Sequence, residues 1–451
     1  MQELKQIGLT TLLTNTYRIL SRHILTIFVS LLFSVIVART LGVSGYGELT
    51  LAIMLPSVLL TFLNLGIASA NVYYIASKKV SFKQALVFSS CFSIVISATG
   101  TVVSFLVIET FGGTLFPGVD PKFLWIAFLA FPPMLLNTYF ASLFQGTQTF
   151  SQFNLILLIP SIMTLVAGII SVYFLGLGVS GATISVVLGH YAGFLFAITV
   201  LKKRLRCSVE SNAFESKDKY KIRYLNYGWK AYVSNMLAFL NYRIDIFILN
   251  VFLSPGAVGI YIIAVSLAER LWNLSQACST AVFPLLAEMQ GRQHQQTQIT
   301  LVVARWVFLF TSVLAIFLGV VSYPLVKLLF GFEFIKAVSC LIILLPGIVL
   351  ASVGKIFANN IAARGRPGLN LITAIIALII NVVANILLIP KFGIVGAAIA
   401  TTLSYSINVI LKFCVFVFLS DIALFDILRW SNLDRQIYNS GIQYVKKHLG
   451  A

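Results

Sequence analysis

The chain is a succession of apolar runs, each about twenty residues long, separated by short segments that carry most of its charge. A helix of about twenty apolar residues crosses the roughly 30 Å hydrocarbon core of a bilayer. In that solvent every backbone N–H and C=O needs an internal partner, so runs of this length must span as helices. Composition agrees: 10% of the residues are charged and 59% hydrophobic, whereas soluble domains carry about 25% charged residues. The sequence predicts an all-α polytopic membrane protein.

Twelve spans are predicted, near residues 16–38, 47–70, 84–108, 122–144, 151–174, 180–201, 225–251, 258–282, 301–323, 335–359, 369–389 and 394–419. Gly and Pro punctuate the connections, as at 42–45, 117–118, 255–256 and 365–368. The first run follows Arg18, Arg22 and His23 and ends at Arg39 without a small-residue cleavage pattern, so it reads as a span. Lysine and arginine in the loops set the orientation. With the N-terminus inside, the inner side holds Lys78, Lys79, Lys83, the cluster 202–223, Arg292, Arg364, Arg366, Arg429, Arg435, Lys446 and Lys447. The outer side holds Arg39, Lys122, Lys327, Lys336 and Lys391. Both termini are expected in the cytoplasm.

The two halves resemble each other. "LGVSGATIS" (177–185) aligns with "FGIVGAAIA" (392–400), "LGVSGYG" (41–47) with "LSPGAVG" (253–259), and Asn154-Leu155 with Asn370-Leu371, at offsets of 212 to 216 residues. Six spans per repeat give both halves the same orientation, related by an axis along the membrane normal. The expected organisation is a six-helix bundle over 1–201, a basic cytoplasmic linker over 202–224, a second six-helix bundle over 225–419 and a cytoplasmic tail over 420–451. The linker carries eight basic and three acidic residues and reads as an anchor, or as a surface for anionic lipid or a partner. Gly181, Ser185, Gly189 and Gly193 form a stripe of small residues, matched by Gly396, Ala400 and Ser404; such stripes allow close helix packing.

Charges within spans cost about 3 kcal/mol or more if they face lipid, so each needs a cavity, a partner or an interface. Arg18 and Arg22 share a face and read as snorkelling anchors or receivers of an anionic head group. Arg305 reads the same way. Glu269 and Arg270 lie too deep for easy snorkelling and suit a cavity lining or an interhelical ion pair. Lys355 lies about a turn from the cytoplasmic end of its span. His190 reads as a packing residue or a proton relay. Arg243 and Asp245 point about 200° apart on a helix and cannot face each other. Asp245 is expected to pair with a basic group across the bundle, with span 8 as its neighbour. Asn64, Asn137, Asn235, Asn241, Asn381 and Asn385 also lie within spans, for interhelical hydrogen bonds or sugar hydroxyls.

Other chemistry is missing. Gly354-Lys355 lacks the loop and the following Ser/Thr of a nucleotide-binding motif. The four histidines stand apart, so no metal site is expected. Outer loops of at most about 15 residues leave little room for an extracytoplasmic catalytic domain. The net charge of +18 lies in short loops without an aromatic-interleaved basic patch, which argues against a nucleic-acid partner. Cys91, Cys207, Cys278, Cys340 and Cys414 show no pairing or metal spacing and read as unpaired thiols.

"ARTLGVSGYGELTLA", "FQGTQTFSQFN", "RIDIFILNVFLSPGAVGIYIIAVSLAE", "LLFGFEFIKAVSCLIIL", "AARGRPGLNL" and "LLIPKFGIVGAAIATTLS" together resemble the polysaccharide transporter branch of the multidrug/oligosaccharidyl-lipid/polysaccharide exporter (MOP) superfamily. The resemblance implies two six-helix bundles around a central cavity that works by alternating access. It implies a flippase for undecaprenyl-pyrophosphate-linked repeat units in the bacterial cytoplasmic membrane, serving O-antigen, capsule or exopolysaccharide assembly. Partners would be that lipid, membrane lipids, and a polysaccharide polymerase with its chain-length machinery. No cofactor is implied; H+ or Na+ would supply any coupling, with Asp245, Glu269 and His190 as candidates. Asp245 stands where the family usually has Asp, whereas Arg243 is less typical. Arg18, Arg22, Arg243, Arg270, Arg305 and Lys355, with Asn64 and Asn385, are the cavity candidates, since arginines and lysines suit a pyrophosphate. Three alternatives stay open: a drug or cation antiporter on the same fold, a lipid II flippase of the same superfamily, and a membrane-embedded polymerase or glycosyltransferase.

Overall fold

The computed structural model describes the backbone of residues 2–77, 79–207, 219–288 and 292–420, and their side chains except 2–21, 23, 207, 219–231, 234–235, 273–274, 276–278, 280–285 and 287–288. Lys78, most of the basic linker, and the tail with Arg429, Arg435, Lys446 and Lys447 therefore lie outside the described residues. So do the side chains of Arg18, His23, Cys207, Asn235 and Cys278.

The described chain is helical throughout. Its α-helices are α1 (Gln2–Leu63), α2 (Ile67–Ala76), α3 (Phe82–Leu115), α4 (Pro121–Phe128), α5 (Phe131–Gly146), α6 (Phe150–Gly168), α7 (Gly178–Cys207), α8 (Lys219–Phe252), α9 (Pro255–Glu288), α10 (Gln293–Leu329), α11 (Ala337–Ala363), α12 (Pro367–Phe392) and α13 (Ile394–Ser420). A π-helical turn, Ile169–Phe174, closes α6. Among the described residues, nine helical segments are long and apolar enough to cross a membrane. The expected spans map onto these helices with two differences, in spans 2 and 4. Span 2 passes a break after Leu63 into α2. Between spans 1 and 2 the helical backbone of α1 is interrupted at Gly42, where φ is 68° and ψ −172°, inside the connection expected at 42–45. That backbone conformation suits a residue without a Cβ. Span 4 is divided between α4 and α5.

A second break falls at 64–66, between α1 and α2, where Leu65 (φ 51°) and Gly66 (φ 72°) are left-handed. A break frees carbonyls that lipid cannot satisfy. Two tyrosines take them up: Tyr232 donates to Phe62 O at 2.8 Å and Tyr139 to Asn64 O at 3.0 Å.

By contact the chain forms two compact units, Met1–Ile262 with Val326–Lys336, and Ile263–Leu325 with Ala337–Ala451. The boundary expected at 202–224 is one of charge. The boundary by contact falls after Ile262, because α8 packs on α1, α2 and α3. Segment 326–336 joins the first unit through Arg39, whose Nε donates to Leu329 O at 2.7 Å and whose Nη2 donates to Leu328 O. These are carbonyls at the C-terminal end of α10, which intrahelical bonds leave open. In the second unit Arg364 plays the same part for α13. It donates to Leu419 O, to Ser420 Oγ at 3.0 Å and to Thr297 Oγ1 at 2.7 Å. Asn360 adds a bond of 2.8 Å to Thr300 Oγ1, so α10, α11 and α13 are tied at one end.

The small-residue stripes pack as expected. A Cβ at Gly181 would lie 3.0 Å from Ser171 O and one at Gly189 2.6 Å from Pro160 O, so α7 sits directly on the α6 segment. In the other half a Cβ at Gly396 would lie 2.3 Å from Leu388 O, and Ser404 Oγ donates to Ala377 O at 2.9 Å, which joins α13 to α12. Repeat-aligned Gly47 and Gly259 also touch: a Cβ at Gly259 would lie 2.3 Å from Val43 O and 3.0 Å from Gly47 N, and one at Gly47 1.7 Å from Pro255 O. The obstacles are backbone atoms and cannot rotate away. Gly259→Ala should therefore destabilise the protein by about 1–3 kcal/mol, the usual cost of overpacking. Gly256→Ala, where no neighbouring atom comes closer than 3.8 Å, should be neutral or stabilising. Thermal unfolding of the two variants in detergent reads the difference.

Candidate functional site

The charges that sequence places inside spans fall into separate local settings. The densest is in the second unit. Lys355 on α11 lies over the ring of Trp272 on α9, with Nζ 4.1 Å from the ring centroid. Glu269 on α9 and Lys412 on α13 are close enough to act on its charge. Packing explains the meeting. Gly354 has no Cβ, and one there would lie 2.7 Å from Val409 Cγ2, so α11 and α13 come together at this level. Lys412 is three residues beyond Val409 and shares its helix face. Tyr405 meets Trp272 edge to face at 5.8 Å and fixes the indole from the α13 side. Beside this group Leu301, Ala304, Val307, Val353, Ile356, Phe357 and Phe416 form a dry core between α10, α11 and α13. Lys355 and Lys412 thus set two cations near one carboxylate, all on half-buried side chains. Such a set attracts an anion, and a partly desolvated setting strengthens that attraction.

Asp245 is handled differently. It is 2% exposed. Its Oδ2 accepts from the Tyr261 hydroxyl at 2.6 Å and its Oδ1 from Ile246 N at 2.8 Å. The expected neighbour, span 8, supplies this contact through the Tyr261 phenol. A short O–H···O bond to a carboxylate is among the strong hydrogen bonds. Arg243 is half-buried and donates to Tyr242 O at 3.3 Å.

The remaining candidates are dispersed. Arg22 lies in the first unit with its guanidinium carbon 5.6 Å from the centre of the Phe153 ring. Arg305 on α10 is half-buried in the second unit. Asn64 contributes its backbone carbonyl to the break at 64–66. Asn385 is fully buried, and its amide donates to Asn381 O at 2.8 Å and Oδ1 at 3.0 Å. His190 is half-buried, its carbonyl accepts from Asn137 Nδ2 at 2.9 Å, and its Nδ1 has no hydrogen-bond partner. Cys91, Cys340 and Cys414 are free thiols. Among the described residues no His, Cys, Asp or Glu group could hold a metal. Lys412, Trp272 and Tyr405 are absent from the sequence candidates. Lys412 was legible, as a lysine inside the last apolar run. The two aromatics were not, because their role arises only when α9, α11 and α13 pack.

These features define the class: an all-α, multi-pass membrane protein with charged groups inside its helical units and no catalytic constellation among the described residues. Residues 12–290 match the family model for polysaccharide biosynthesis proteins, and the chain belongs to that family. It is 32% identical over 189 residues to a Haloferax volcanii protein named "Probable low-salt glycan biosynthesis flippase Agl15", covering 41% of this chain and 40% of that relative's length. It is 23% identical over 392 residues to a Shigella flexneri "Putative O-antigen transporter", covering 83% of this chain and 89% of that one. In structure it is similar to the lipid II flippase MurJ in an inward closed conformation, with TM-score 0.73, 17% identity, and coverage of 97% of this chain and 100% of that one. It is also similar to an inward-facing multidrug transporter of the MATE family of the MOP superfamily, with TM-score 0.68, 16% identity, and coverage of 87% and 94%. The fold is that of the MOP superfamily, as the sequence resemblance implies.

The Asp245 contact is testable by itself. Tyr261→Phe removes the donor and leaves a buried carboxylate short of a partner, at a cost of about 1–3 kcal/mol. In an Asp245→Asn background the same change should cost less. A double-mutant cycle on thermal unfolding measures the coupling.

Proposed function

We propose that this protein is a flippase that moves lipid-linked oligosaccharide repeat units on undecaprenyl pyrophosphate from the inner to the outer leaflet of the bacterial cytoplasmic membrane, for O-antigen, capsule or exopolysaccharide assembly. The carrying observation is the basic lean of the membrane-depth charges in a chain of this family. Lys355, Lys412 and Arg270 outnumber Glu269 in the second unit. A pyrophosphate is the anion such a group suits, through the point charges of lysine and the forked donors of arginine. The lipid tail stays in the bilayer, so only head group and sugars need a polar path. The names of the relatives support the same reading. A cation antiporter on this fold would instead want carboxylates in excess.

The protein is read as a transporter with no chemical step of its own. Its bundles would be 1–201 and 225–419, alternating in access, with both termini cytoplasmic. Coupling to H+ or Na+ would involve Asp245, Glu269 or His190. A polymerase and its chain-length machinery would take up the product outside.

Deleting the gene should cause a lipid-linked glycan intermediate to build up on the cytoplasmic face, detectable by lipid extraction and mass spectrometry. Lys355→Ala and Lys412→Ala should lower export about ten- to a hundredfold, as expected for losing a charged hydrogen bond of about 1.5–3 kcal/mol. Lys355→Arg should restore part of it. Normal export in both alanine variants and in Arg270→Ala would remove the cluster from the path.

A further inference from the structure

The first unit contains a cavity that the reading above does not use. It holds about 370 Å³, within the roughly 300–1,000 Å³ of small-molecule sites. Ser69 on α2, Thr138, Ser142 and Gln145 on α5, and Phe153 on α6 supply its polar and aromatic wall, with small and branched apolar residues between them. No lining residue is charged. A cationic drug would find no carboxylate there, and a pyrophosphate no cation in the lining.

The hydrogen-bonding capacity of this wall is largely unspent. Among the described residues, no hydrogen bond occupies the Ser69 hydroxyl or the Gln145 amide. Thr138 Oγ1 donates to Met134 O at 2.9 Å and keeps its acceptor capacity. Ser142 is held in place, donating to Tyr139 O at 2.6 Å and accepting from Asn71 Nδ2 at 2.9 Å. Asn71 also donates to Ser89 Oγ at 3.0 Å, so a buried network stiffens the wall.

Gln145 and Phe153 both come from "FQGTQTFSQFN". The turn that brings them to one cavity has Gln148 in the left-handed region at φ 56°. It is pinned by the Thr147 and Thr149 hydroxyls, 2.8 Å apart, and by Thr149 Oγ1 donating to Phe144 O at 3.1 Å. Arg22 lies against Phe153 and orients the ring. Uncharged donors and acceptors around one flat aromatic surface are what a pyranose asks for, with hydroxyls at its rim and apolar C–H faces.

We propose that this cavity is a carbohydrate subsite that takes an uncharged sugar residue of the translocated glycan; the proposal rests on the flippase reading. The test uses purified full-length protein in nanodiscs, with free glucose, galactose, N-acetylglucosamine and N-acetylgalactosamine as probes, read by saturation-transfer NMR. At least one sugar should receive saturation from the wild type. Its affinity should fall about tenfold or more in Gln145→Leu and in Phe153→Leu, and stay unchanged in Gly256→Ala, which meets no close neighbour. Gln145 is exposed, so its variant keeps the helix packing, and thermal unfolding confirms that. If no sugar binds the wild type, or if binding survives both lining substitutions, the subsite is overturned. The accumulation experiment judges the flippase reading separately: intact sugar binding without accumulation would sink transport and leave the subsite, and the reverse would sink the subsite alone.

Discussion

Everything in this fold follows from the inability of lipid to satisfy a peptide group. A continuous helix meets that demand by itself, but this chain breaks and ends its helices at several levels. Three of these openings are closed by particular side chains. Tyr232 and Tyr139 serve the break at 64–66. Arg39 serves the end of α10, and Arg364 the end of α13. The arginines suit this work because several donors in one plane can reach successive carbonyls. They therefore belong to the architecture, although in sequence they look like the loop cations that merely set orientation.

The same low-dielectric surroundings treat the two kinds of interior charge differently. Asp245 is buried with a phenolic donor of short reach, an arrangement that holds one geometry. Lys355 rests on an indole face within reach of a carboxylate and a second lysine. The two settings hold opposite charges by different means, a phenolic hydroxyl for the carboxylate and an aromatic face beside other ionised groups for the ammonium.

Much of the architecture was legible because it depends on periodicity and residue size. Span positions came from run length, and the close packing of α7 and α13 from small residues four apart, though not which helices they meet. The interruption between spans 1 and 2 was legible too, since the Gly-Val-Ser-Gly segment marks it and Gly42 carries it; the break of span 2 at 64–66 was not. The site was legible only as a list. Lys355 and Glu269 could be named, but not their meeting at Trp272, which depends on how closely α11 approaches α13 at Gly354. Asn385 could likewise be named, but not the bond of its amide to Asn381 one turn away. Asp245 was placed beside the correct helix, but charge balance alone does not reveal the phenol of Tyr261.

Gly47 and Gly259 occupy matching positions in the two sequence repeats, and they touch each other. A contact between equivalent residues is what two identical subunits make where they meet about a symmetry axis. Within a single chain it ties together two sites that would otherwise vary independently. Neither glycine can acquire a side chain unless backbone on the opposite repeat withdraws. The pair therefore behaves as one genetic position written twice, and this seam should resist divergence longest as the halves specialise.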